Sequence, residues 1–152
     1  MTVTTAGPTS EPDAKAPPSL LYLVKQLELA VRARLDELLR PTGITALQYT
    51  ALTVLERHDG LSTAQLARDS FVTAQSMADM VRALEQRGLI RRERNPRNRR
   101  ELLILLTETG RALLAAHAEP VRRLEERMVA GLAAREIDRF RRTLTHAWHE
   151  LS

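Results

Sequence analysis

Seven arginines and one glutamate crowd residues 87–100, RGLIRRERNPRNRR, giving a local formal charge of +6. The whole chain carries +4, so everything outside this stretch sums to −2. So dense a cluster repels itself, and it persists where a polyanion binds or where the segment is disordered. Its neighbours argue for the polyanion, because helix-patterned SMADMVRALEQRGL runs into it and apolar ELLILLT follows. A basic turn between an amphipathic helix and an apolar strand is how a winged helix meets DNA. Arg94, Arg97, Arg99 and Arg100 fall on that turn, where a protruding guanidinium can enter a narrow minor groove. Solvated surface arginines, some paired with Glu93 and Glu101, are the competing reading.

The second reactive surface is a helix face just upstream. Met77, Met80, Val81 and Leu84 repeat at helical spacing and must face inward. That leaves Thr73, Ala74, Gln75, Ser76, Asp79 and Arg82 facing out. Gln75 can pair bidentately with adenine, Arg82 can reach a phosphate or a guanine, and Ala74 can touch a thymine methyl. Asp79 can accept from a cytosine amino group or be neutralised by Arg82. Ser62 and Thr63, at the start of the preceding short helix, complete the expected DNA-contacting set. Taken alone such a face is an ordinary solvated one; the adjacent basic turn gives it meaning.

The elements that position these groups follow from periodicity and caps. Residues 1–17 lack apolar periodicity and read as a disordered tail, leaving 18–152 as a single domain. A first helix starts near Pro18–Ser19, carries Leu20, Val24, Leu27, Val31, Leu35 and Leu38, and ends at Pro41. Thr45 caps a second helix with Leu47, Ala51, Val54 and Leu55 inward. Asp59–Gly60 marks a turn, and Ser62 caps a short third helix with Leu66 and Ala67 inward. Thr73 caps the fourth, which runs to Arg87 and stops at Gly88. Leu89–Glu93 and Glu101–Leu106 read as two strands joined by the turn Asn95-Pro96-Arg97-Asn98. Thr107 caps a long helix with Glu108 in its first turn. Gly110 and Pro120 are liabilities within it, and Pro120 should kink or divide it. After Gly131 a last helix carries Ile137, Phe140, Leu144, Ala147 or Trp148, and Leu151 on one face. The fold class is therefore mainly α with a small β-hairpin wing. A winged helix-turn-helix at 45–106 is flanked by helices at 18–40 and 107–152.

Composition narrows the classes further. The chain is 43% hydrophobic but only 3% aromatic, so its core must be Leu, Ala, Val and Met, which favours helices. With no cysteine, disulfides, thiolate metal sites and cysteine redox sensing are excluded. No apolar run approaches the roughly 18 residues that span a membrane, and no secretory pattern opens the chain. A cytoplasmic, nucleoid-associated protein is expected. Of 23 basic residues 21 are Arg, which suits bidentate phosphate and guanine contacts. A GC-rich genome explains that bias equally well, but not the clustering. His146 and His149 stand three apart and could meet one metal; with four histidines and no thiolate, no metal site is expected. Nothing resembles a phosphate loop, a nucleophile elbow or a cofactor cradle, so neither enzymatic activity nor a cofactor is expected.

The stretch LSTAQLARDSFVTAQSMADMVRALEQRGLIRRERNPRNRRELLILLTETGRALL resembles the MarR family of bacterial transcription regulators. NPRNRRELLILLTETGRALL is similar to the family's wing and the start of its next helix, and RALEQRGLI to its recognition-helix ending. The resemblance implies that Arg99 and Arg100 are the wing's Arg pair and that Thr73 to Ser76 form the base-reading turn. Asn95 and Asn98 depart from the acids common there, and Asp79 from a basic or neutral polar residue. Double-stranded DNA is thus one implied partner. A second copy of the chain is another. The apolar stripes of the first and last helices would be exposed in a monomer unless they packed on each other, and a two-fold dimer would bury them. Leu20, Val24, Leu27, Ile137, Phe140, Leu144, Trp148 and Leu151 are the expected interface. The resemblance also implies release from DNA by a small phenolic or anionic effector between the dimer helices and the DNA-binding part. Tyr22, Gln26, Tyr49, His117 and Met128 could line such a cleft, with simple packing as the competing reading for each. The first helix lacks the Trp of the urate-binding relatives. The implied function is a homodimeric repressor at a pseudo-palindromic promoter site. A sequence-independent architectural DNA protein is the alternative, which would not need the varied outward face of residues 73–82.

Overall fold

The computed structural model describes residues 15–152, so most of the expected tail lies outside the described residues. Helix α1 spans Leu20–Leu39, and its first turn is capped by the Ser19 hydroxyl, which accepts from the Tyr22 amide at 3.1 Å. A 3-10 turn at Arg40–Thr42 ends in Gly43 and leads to α2, Ala46–Arg57. Thr45 and Gln48 form a reciprocal capping box at its start. A two-residue strand β1, Leu61–Ser62, precedes α3, Thr63–Asp69. Helix α4 covers Ala74–Gln86, with Thr73 as its cap. Strands β2, Ile90–Asn95, and β3, Asn98–Leu106, form the hairpin. Two long helices close the chain, α5 at Glu108–Met128 and α6 at Ala134–Glu150.

The sheet is antiparallel in the order β1-β3-β2. β1 was not expected from the sequence. Two residues cannot show an alternation, and the strand exists only because Leu61 and Ser62 lie opposite Ile104 and Leu103. The hairpin strands are also longer than expected. The β2–β3 pairing runs from Ile90↔Leu106 out to Asn95↔Asn98, with an irregularity between Arg94 and Asn95.

One core joins α2, α3, α4, the sheet, the end of α1 and the start of α5. Leu39, Leu52, Leu55, Leu66, Met77, Leu84 and Ile104 are wholly buried in it. The expected inward stripe of α2 needs correction. Leu47 is 37% exposed and lines a cavity between α1 and α2, while Ala46, Tyr49 and Leu52 turn inward instead. The long helix is also not divided at Pro120, which lies inside the continuous α5. Gly110 is no liability. A Cβ there would sit 2.2 Å from the Leu89 carbonyl oxygen and 2.7 Å from Leu106 Cδ1, so only glycine lets α5 start against the base of the hairpin. Asp59 secures the same joint. Its Oδ1 accepts the Leu106 amide at 3.0 Å and its Oδ2 takes the Arg111 guanidinium at 2.9 Å.

Beyond that joint the chain is thinly covered. No residue of α6 is buried. Leu20 is 81% exposed and Leu151 85%. Among the described residues, no helix is long and apolar enough to cross a membrane.

Candidate nucleic-acid interface

Helix α4 presents the face expected of it. Met77, Val81 and Leu84 are buried and Met80 is half-buried, leaving Thr73, Ala74, Gln75, Ser76, Asp79 and Arg82 exposed. Thr73 Oγ1 accepts the Ser76 amide at 3.1 Å and also donates to Ser76 Oγ at 3.0 Å. The two hydroxyls are thereby fixed in one cluster at the helix start, beside Gln75, whose amide stays free for other partners among the described residues. Asp79 and Arg82 form an ion pair along the helix, so the acid is neutralised within the face. Gly88, with φ +70°, lets the chain reverse from the end of α4 into β2.

The arginines of residues 87–100 divide into two groups. Arg87 donates to the Thr42 carbonyl, tying the end of α4 to the turn after α1. Arg91 pairs with Glu93, and Arg92 Nε lies 2.5 Å from Glu85. That bond holds the Glu85 carboxyl below the usual carboxylate range. The remaining four, Arg94, Arg97, Arg99 and Arg100, have no ion-pair partner among the described residues. All four are exposed. Arg97 alone sits in the turn; Arg94 lies on β2, and Arg99 and Arg100 on β3. The charge is thus neutralised at the base of the wing and left open toward its tip.

The two asparagines shape that tip. Asn95 Oδ1 accepts the Arg97 amide at 2.9 Å, and Asn98 Oδ1 accepts the Arg100 amide at 3.2 Å. Asn95 Nδ2 also donates to Glu101 at 2.7 Å. A carboxylate at position 95 could make the first bond but not the third. Glu101 is therefore bonded to a neutral amide and Glu93 to Arg91, so neither acid forms an ion pair with an arginine of the tip.

Other expected site residues fall elsewhere. Ser62 is buried, and its hydroxyl accepts the Gln65 amide at 3.2 Å as the cap of α3, so it does not belong to an exposed contact set. Thr63 is half-buried. The five candidate cleft residues are not gathered. Tyr22 and Gln26 lie exposed on α1. Tyr49 is a core residue, and burial, aided by Glu56, raises its phenol above the usual range. The His117 ring is bonded to the Leu113 carbonyl of its own helix at 2.9 Å. Met128 alone lines cavities, together with Val31 and Leu124, between α1 and α5. Trp148, expected to face a second copy, meets Phe71 of its own chain edge to face at 6.0 Å and stays 53% exposed. Ile137 and Phe140 are half-buried, while Leu144 stays exposed. Arg87, Asp59 with Arg111, and Phe71 were not legible as site residues. Their partners lie on other elements, and no local spacing signals them.

A sequence profile of the MarR family matches residues 44–102, which is α2 through most of the wing. The HTH-type transcriptional repressor Rv2887 of Mycobacterium tuberculosis is 34% identical over 123 residues, covering 81% of this chain and 88% of that protein. The chain belongs to the MarR family. The crystal structure of Rv2887 in complex with p-aminosalicylic acid superposes with a TM-score of 0.69 at 32% identity, over 86% of this chain and 98% of that one. CouR, the Rhodococcus jostii repressor solved on a 23-mer DNA duplex, gives a TM-score of 0.76 at 29% identity. It covers 85% of this chain and 92% of its own. In this MarR-family chain, α3 and α4 are the helix-turn-helix and β2–β3 is the wing.

Proposed function

We propose that the protein is a sequence-specific transcription repressor that binds a pseudo-palindromic promoter site as a homodimer. The observation that carries this reading is the exposed polar start of α4 beside a wing whose four tip arginines have no ion-pair partner among the described residues. In each subunit α4 enters the major groove, with Gln75 and the Thr73–Ser76 cluster at the base edges. Arg94, Arg97, Arg99 and Arg100 reach the adjacent minor groove and phosphates. Arg82 turns from Asp79 to the DNA, or the pair stays closed and lowers affinity at that position. Residues 45–106 form the DNA-binding part. Dimerisation rests on α1 and on 107–152, because the stripe of α6 is only partly covered by the described residues of its own chain. No catalytic role is assigned, and the protein works in the cytoplasm at the nucleoid.

A small phenolic or anionic ligand is the proposed class of effector. Support comes from Rv2887 with p-aminosalicylic acid, a small phenolic acid, and from CouR with p-coumaroyl-CoA, a larger thioester that is also phenolic and anionic. Such a ligand weakens DNA binding only by binding the non-DNA arrangement of the dimer better.

Fluorescence anisotropy on DNA upstream of the protein's own gene and on a scrambled duplex, at several salt concentrations, tests the proposal. Preference by a factor of about 10³ or more is expected. Arg99→Ala should lower affinity and reduce the salt slope by about one ion. Equal, strongly salt-dependent binding to every duplex, including those from a genome-wide site selection, would instead mark an architectural protein.

A further inference from the structure

A cavity of about 270 Å³ lies where the ends of α2, α3 and α6 meet, lined by Val54, Arg57, His58, Asp69 and Trp148. It shares no lining residue with the wing or with the cavities between α1 and α5. Its size falls just under the roughly 300 Å³ at which pockets for drug-sized ligands begin. Its walls are chemically unusual for a surface so rich in ion pairs. The Arg57 and Asp69 side chains, of opposite charge, pair neither with each other nor with any other described residue. Trp148 is 53% exposed and offers a broad apolar face beside Val54.

We propose that this cavity binds a small zwitterion with an apolar side group, namely a free amino acid of the phenylalanine or leucine kind. Arg57 would take the carboxylate through its planar fork, Asp69 the ammonium, and Trp148 with Val54 the side group. His58 can donate or accept a further hydrogen bond. A simple anion would face Asp69 and a simple cation would face Arg57, so the walls select against a ligand carrying one charge.

The same tryptophan connects the cavity to α4. Its ring contacts Phe71 at 76° between planes. Phe71 is the single non-glycine with positive φ (59°) among the described residues, and it stands two positions before the Thr73 cap. A bulky residue held there is strained unless its contacts fix it. A ligand that draws Trp148 toward the cavity loosens that contact and with it the start of α4. This coupling rests on the reading of α4 as the DNA-contacting helix; the binding site does not.

Trp148 is the chain's one tryptophan, so its emission reports the site directly without DNA. The full-length protein is titrated with L-phenylalanine, L-leucine, phenylacetate and phenethylamine, with calorimetry as a second readout. A saturable response to at least one of the two amino acids is expected, at least tenfold weaker for phenylacetate and phenethylamine. Arg57→Ala and Asp69→Ala should each weaken it tenfold or more while leaving circular dichroism unchanged. No saturation with either amino acid up to about 10 mM by either readout overturns the site. So does equal binding of phenylacetate, or binding retained in both variants. For the coupling, the bound amino acid should shift operator affinity in the native protein but not in Phe71→Gly, which keeps the left-handed backbone. Binding with no such shift overturns the coupling alone. A protein that binds no DNA sinks the proposed function, while the emission titration still decides the site.

Discussion

Helices α4 and α6 are both amphipathic, and they meet opposite fates. Met77, Val81 and Leu84 of α4 disappear into the core, whereas α6, with Ile137, Phe140, Leu144 and Trp148 along one side, has no fully buried residue. An apolar stripe states that a face needs cover; it does not say which molecule supplies it. Helix α4 lies between α3 and β2, close in sequence, so its cover is intramolecular. Helix α6 follows a 21-residue helix and is covered only in part by its own chain, as where Trp148 meets Phe71; in the proposed dimer a second copy covers the rest.

The largest test of that contrast is Leu84→Ala. It should destabilise the folded chain by about 2–5 kcal/mol, with a denaturation midpoint whose loss is the same at every protein concentration. A loss that vanishes at high concentration would place α4 in the intermolecular class. Gly110→Ala addresses the joint where α5 departs from the α4 side. With the Leu89 carbonyl 2.2 Å from the new Cβ, a cost of about 1–3 kcal/mol is expected. A neutral melting result would show that α5 is free to shift. Phe140→Ala should leave the unfolding of the α4 core alone and weaken self-association about tenfold, roughly 1.4 kcal/mol, as read by sedimentation equilibrium. An unchanged association constant would remove this stripe from the dimer interface. The smallest effect is expected at the wing. Asn95→Asp keeps the acceptor for the Arg97 amide but sets a carboxylate against Glu101. A loss of about 1 kcal/mol in DNA binding should follow, with the melting temperature hardly moved; full affinity would mean that the tip is ordered by the DNA itself.

Much of this layout was readable from the residues. Caps at Ser19, Thr45, Ser62, Thr73 and Thr107 all accept the amide three positions on, so the starts of five helices follow from local chemistry. The outward face of α4 followed from its period, and the basic wing from charge alone. Other features could not be read in this way. The phase of α2 was misjudged at Leu47 because five of its residues find cover on different elements. Ser62 is expected among the DNA contacts, yet it is buried and pairs with Leu103 of β3.

The order of helices and hairpin, the apolar stripes and the concentration of arginine are legible in the residues alone, because each depends on neighbours within a turn or two of chain. Packing, by contrast, sets which arginines find an ion-pair partner among the described residues, why Gly110 must be glycine, and that Trp148 meets Phe71 across 77 positions of sequence. Those outcomes depend on distances between groups far apart along the chain, and only packing sets such distances.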